Sequence, residues 1–162
     1  MQSRVSSGSG FPGLRDLRPG REPAPKINNP MKEIHQQDRD FIGFCIDRLG
    51  ITTSPNIKIS DDHSRSQELK TMGYYSPSEN LIWVLRGSRI PADWYRTLAH
   101  ELVHWRQREQ AEPLDGSDGS PTENQANSLA GSLLREFGRA NDTIYISRSA
   151  NEPAIPQEAP LP

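Results

Sequence analysis

Cysteine is nearly absent, with Cys45 the only one in 162 residues. A single thiol closes no internal disulfide and cannot build a cysteine-type zinc site. Its place in the run Phe41, Ile42, Phe44, Ile46 marks it as a core side chain. Long apolar runs are missing too. The N-terminus has no apolar stretch behind a charged start, and no segment approaches the roughly 20 apolar residues of a membrane span. No signal peptide is read, and a cytoplasmic setting is expected, with no membrane partner. Charge of one sign is also lacking: the net charge is −2 and the basic residues are scattered. That leaves no one-sided positive field for nucleic acid, which is not expected as a partner.

Large apolar side chains are scarce at both ends, where proline collects. Of the 14 prolines, nine stand in the two terminal segments: Pro12, Pro19, Pro23, Pro25, Pro30, Pro153, Pro156, Pro160 and Pro162. A Ser-Gly run at 6–10 adds to the first. Such segments bury too little apolar surface to offset the entropy of ordering them. Residues 1–31 are therefore read as an extended or disordered arm and 148–162 as a Pro-rich tail. One domain remains, at 32–147. In the first arm Arg4, Arg15, Arg18, Arg21 and Lys26 outnumber Asp16 and Glu22. That suits a solvated tail, or docking onto an acidic surface of a larger assembly.

Inside the domain the hydrophobic pattern changes period several times. Apolar positions 41, 42, 44, 45, 46 and 49 followed by Gly50 predict a helix over 38–49 with a glycine C-cap. Ile57 and Ile59 alternate with polar neighbours, as in a short strand. Residues 61–70 are polar and unpatterned, and are expected to be a loop. Two β-prone runs, 72–75 and 80–85, flank Ser-Pro-Ser-Glu and predict a hairpin with Pro77 in its turn. Pro91 suits the first turn of a long helix reaching about Gln110. The segment 112–119 is a loop, and 122–138 carries a helical stripe of Ala126, Leu129, Ala130, Leu133, Leu134 and Phe137. A short strand is expected at 143–146. This order predicts an α+β domain with a small sheet on one side.

His100-Glu-Leu-Val-His104 falls in the middle of the long helix. Residues four apart project from one face, so both imidazoles can reach one ion. Tetrahedral zinc then needs a third protein ligand and keeps one position for water. Glu101 would stand beside that water, placed to take its proton and pass it to a leaving amine. Among acidic residues downstream, Glu123 is preferred as the third ligand because it lies in line with Ala126, Asn127 and Ala130 on the packed face. A competing role exists: Ser120-Pro-Thr-Glu123 fits a capping box, which accounts for a glutamate there without any metal. Asn127, one turn on, could orient a histidine ligand.

Together these residues resemble the gluzincin branch of zinc peptidases, which pairs His-Glu-x-x-His on one helix with a glutamate on the next. The stretch Glu123, Ala126, Asn127, Ala130 is more specifically similar to the Glu-x-x-Ala-Asn-x-x-Ala segment of ImmA/IrrE-type minimal peptidases. So is the hairpin Gly-Tyr-Tyr…Leu-Ile-Trp-Val at 73–84. The chain departs from that group at Val103, where glycine is usual. The resemblance covers about residues 72–138. It implies a minimal zincin fold: a small, mostly antiparallel sheet on an active-site helix and a following ligand-bearing helix. It implies one Zn2+ on His100, His104 and Glu123, with Glu101 as base. It also implies a peptide or protein substrate along an edge strand at 80–85, with Leu81, Ile82, Trp83 and Val84 as binding positions. The leading expectation is a zinc metallopeptidase. Alternatives are a virion or assembly component that retains the fold and is tethered by its arms, or an ImmA-like regulator acting on a repressor.

Overall fold

The computed structural model describes residues 34–112 and 114–148, together with the backbone of 26–28. The chain runs β1 (Lys26–Asn28), α1 (Gln36–Leu49), β2 (Asn56–Ser60), α2 (His63–Leu69), β3 (Gly73–Ser76), β4 (Leu81–Leu85), α3 (Pro91–Glu109), α4 (Pro121–Ala140) and a 3-10 helix (Asp142–Tyr145). The domain is α+β, as its sequence pattern predicts.

The first helix starts two residues earlier than its apolar period indicates. Asp38 reaches back to accept the His35 N–H at 3.1 Å and so closes the first turn. Gly50 ends the helix at φ 69°, in the left-handed region that costs glycine little. Phe41, Ile42, Cys45, Ile46 and Leu49 are buried along its inner face.

The sheet order is β1-β2-β4-β3. Both β1 with β2 and β2 with β4 pair in parallel, and only the β3–β4 hairpin is antiparallel. The expected mostly antiparallel sheet is thus a mixed one. Parallel neighbours need a crossover, and α1 supplies the one between β1 and β2. The hairpin itself forms where expected: Pro77 stands in its turn and accepts the Asn80 N–H at 3.2 Å. Two other segments differ from the sequence reading. Residues 61–70 hold the helix α2, capped by the Asp62 side chain on the Ser64 N–H. The segment at 143–146 is largely a 3-10 helix whose buried member is Ile144.

The arms also lose ground to the fold. Strand β1 lies within 1–31, and Arg148, placed in the tail, pairs with the fully buried Asp38 at 2.8 Å. The rest of both terminal segments lies outside the described residues. Among the described residues no helix is long and apolar enough to cross a membrane.

The core lies between the inner sheet face (Ile57, Ile59, Ile82, Val84) and the helices α1, α3 and α4. The Phe41 and Tyr95 rings stack at 4.4 Å, with Phe137 edge-on to Phe41 at 5.1 Å. Ala126 and Ala130 are fully buried, and such short side chains let α4 approach α3 closely. Contacts pair Gln107 with Thr122, His104 with Glu123, and His100 with Asn127. Numbers fall along α3 as they rise along α4, so the two helices run antiparallel.

Candidate metal centre

Helix α3 begins at Pro91, whose missing N–H is unneeded in a first turn. Leu98, Leu102 and Trp105 bury one flank of it, which fixes the rotation of the helix about its axis. His100 and His104 then face α4. Their Nε2 atoms are 3.1 Å apart. The carboxylate of Glu123 meets both, Oε1 at 3.0 Å from His100 and Oε2 at 3.0 Å from His104.

The hydrogen bonds behind the imidazoles say what occupies the space between them. Gln107 is fully buried. Its amide nitrogen donates to the Thr122 carbonyl at 3.0 Å and to Gln125 Oε1 at 2.7 Å. That leaves Gln107 Oε1 as the acceptor, 2.8 Å from His104 Nδ1. His104 therefore carries a proton on Nδ1 and presents Nε2 to His100 and Glu123. His100 hydrogen-bonds the Asn127 side chain on its other side. Burial, and then His104, lower its pKa against the opposing pull of Glu123 and Asn127, so the neutral ring is favoured.

Two imidazole nitrogens and two carboxylate oxygens thus converge on one point. With metal bonds of about 2.0–2.1 Å, tetrahedral ligand atoms stand about 3.3 Å apart, close to the separations found. The cluster of His100, His104 and Glu123 could hold a metal ion. Its donor chemistry, two imidazoles and a carboxylate, fits a borderline divalent cation.

Glu101 lies on the neighbouring face of α3, almost completely buried. Burial pushes its carboxyl up to about 8, with the charge of Glu123 adding to the rise. The backbone N–H of Tyr75 on β3 donates to it and opposes the shift. Gly73, two residues earlier, lets the strand come this close: a Cβ there would sit 2.5 Å from Thr97 Cγ2 and 3.8 Å from Glu101 Cγ.

No family model, curated protein or solved structure matches the chain. The site is therefore read from its own chemistry. His100, His104 and Glu123 come together, Glu101 stands beside them, and Asn127 is on His100. The expected substrate strand does not reach the site in the expected way. β4 is interior, paired on both sides, and Ile82, Trp83 and Val84 are buried, while Leu81 pairs with Ser76 at the end of the hairpin. The edge strand beside Glu101 is β3. Gln107 was not singled out by sequence, and Tyr75 only as part of the hairpin at 73–84. Gln107 could have been found, because it stands three residues after His104 and so on the same helix face. The Tyr75 contact is made by backbone and leaves no mark on residue type.

Proposed function

We propose that this protein is a zinc-dependent metallopeptidase. The observation that carries the reading is the convergence of His100, His104 and Glu123 with Glu101 on the adjacent face. Zinc in such a set supplies a Lewis acid that lowers the pKa of water and polarises a carbonyl. The chain's own residues then divide the work. Gln107 and Asn127 hold the imidazoles in the tautomer and orientation that ligation needs. Glu101, in a dry niche, accepts a proton from the attacking water and returns it to the leaving amine. A nearby dication would draw its pKa back down into the range where the carboxylate form prevails.

The substrate lies along β3 rather than β4. Strand β3 pairs only with β4 among the described residues and is the sheet edge beside Glu101. On that edge Thr71 Oγ1 holds the Gly73 N–H and carbonyl, and Glu101 holds the Tyr75 N–H, so a peptide would meet the edge through the Tyr75 carbonyl and side chains. A peptide there passes beside the Tyr75 N–H and hence beside the Glu101 carboxylate. Elemental analysis of the purified protein should give one zinc per chain, and the zinc-loaded protein should cleave an unstructured protein such as casein. Glu101→Gln should keep the zinc and lose the cleavage. A zinc content well below one per chain would end the metal reading, and cleavage unchanged in Glu101→Gln would end the mechanism.

A further inference from the structure

Beyond Glu101 on α3 the same face continues. Glu101, Trp105 and Arg108 stand at i, i+4 and i+7, so they line one side of the helix. There the surface sinks into a pocket of about 360 Å³ bounded by Thr53, Tyr75, Asn80, Trp105, Arg108 and Glu109. Tyr75 belongs both to this pocket and to the candidate site: its backbone N–H is on Glu101, and its ring leans on Trp105 at 5.3 Å and 50°. Base, edge strand and pocket are therefore continuous.

Two charges border the pocket, and they are not equivalent. Glu109 already accepts the N–H groups of Thr52 at 3.3 Å and Thr53 at 2.8 Å, together with the Thr53 hydroxyl. The Arg108 side chain is exposed and makes no hydrogen bond or ion pair among the described residues. The charge left for a ligand is positive. Tyr75 and Trp105 line the pocket beside it, the latter fixed by its indole N–H donated to Thr53 Oγ1 at 2.8 Å. A basic ligand would find its counter-charge taken, and a purely aromatic one would leave Arg108 unused.

We propose that this pocket is a specificity subsite for an acidic side chain of a peptide lying along β3. The carboxylate meets Arg108 and the methylenes lie on Trp105 and Tyr75. The proposal rests on the peptidase reading for the peptide's path. Along an added strand alternate side chains face one way, so a single residue of the peptide would enter.

The probe is a set of blocked pentapeptides, acetyl-Ala-Ala-X-Ala-Ala-amide, with Glu, Lys or Phe at X. They are titrated into zinc-loaded full-length Glu101→Gln protein, which cannot consume them, while the Trp105 indole N–H resonance is followed. The Glu peptide should shift that resonance saturably and bind about fivefold more tightly than the Lys or Phe peptide, the size of one exposed charge pair. Arg108→Gln should erase the preference and Arg108→Glu should turn it toward Lys. No shift, equal affinities, tightest binding of Phe, or a preference untouched by Arg108→Gln would overturn the subsite. Cleavage by the zinc-loaded parent protein separates the two claims. Cleavage with no bias toward acidic residues removes the subsite and keeps the peptidase. The expected shift and preference with no cleavage of any peptide uphold the pocket and remove the peptidase.

Discussion

At the scale of single residues, the question left open by the sequence was what Glu123 does. Its position three after Ser120 fits a capping box as well as a metal ligand, and residue type cannot separate them. The structure divides the two tasks between backbone and side chain. The Ser120 hydroxyl accepts the Glu123 N–H at 3.2 Å, while the carboxylate turns to the two imidazoles. Opposite outcomes follow for two neighbouring substitutions. Ser120→Ala should cost about 1 kcal/mol of stability, as loss of an N-cap does, and leave metal affinity nearly unchanged. Glu123→Ala should remove tight zinc binding at little cost to the helix, since the cap survives. Chemical denaturation and a competitive zinc-chelator titration read the two effects separately. Gln107 makes a third case. Gln107→Leu keeps the volume but frees the His104 tautomer, and zinc affinity should fall about 10- to 100-fold, the usual effect of losing a ligand's hydrogen-bond partner.

At the scale of elements, the strongly periodic pieces were legible and the weakly patterned ones were not. Helices α1, α3 and α4 each bury an apolar stripe, and their sequences show it. Helix α2 buries only Ser66, so it has no stripe to find, and its Asp62 cap is a signal that loops share. The hairpin was readable because turn chemistry is local. Its place in the sheet was not, because which strand becomes the edge depends on β2 pairing with β4 from 25 residues away. That is why the sequence reading took 80–85 as the edge strand, whereas the edge is β3. The close approach of β3 to α3 rests on Gly73. Gly73→Ala should destabilise the domain by about 1–3 kcal/mol, the usual cost of overpacking, and should also lower catalysis by moving the Tyr75 N–H from Glu101. Thr97→Ser in the same chain removes the Cγ2 that the new methyl meets. It keeps the hydroxyl bonded to Arg89 at 2.8 Å, so part of the stability should return. Urea unfolding of the single and double variants measures this. Equal stability of Gly73→Ala and the parent would mean that β3 is free to shift.

At the scale of the whole molecule, composition sets the ends of the domain too narrowly. Proline and the scarcity of large apolar residues put the tail at 148, yet Arg148 pairs with the fully buried Asp38 of α1. Asp38 in α1 is fully buried, and a buried carboxylate without partners is costly. It is held by the Tyr95 hydroxyl from α3 and by Arg148, whose guanidinium also lies 3.4 Å from that hydroxyl. Burial, and then the Asp38 charge, push the Tyr95 phenol far above its usual range, so it stays a neutral donor. The cation of Arg148 is thus the only positive charge paired with Asp38 among the described residues. Sequence could not show this, because a lone arginine beside a proline-rich segment looks like any solvated charge. Removing it should leave Asp38 buried and uncompensated. Arg148→Ala, or a chain ended at 147, should lose about 3 kcal/mol, the lower end for breaking a buried pair, since Arg148 is itself 22% exposed. For a domain of this size the midpoint of thermal unfolding should drop by several degrees or more. A chain ended at 148 should keep the stability of the full protein. The further substitution Asp38→Asn should recover part of the loss in Arg148→Ala, because it removes the charge that Arg148 no longer meets. If the chains ended at 147 and 148 melt together, Arg148 is a surface contact and the domain does end where its composition changes.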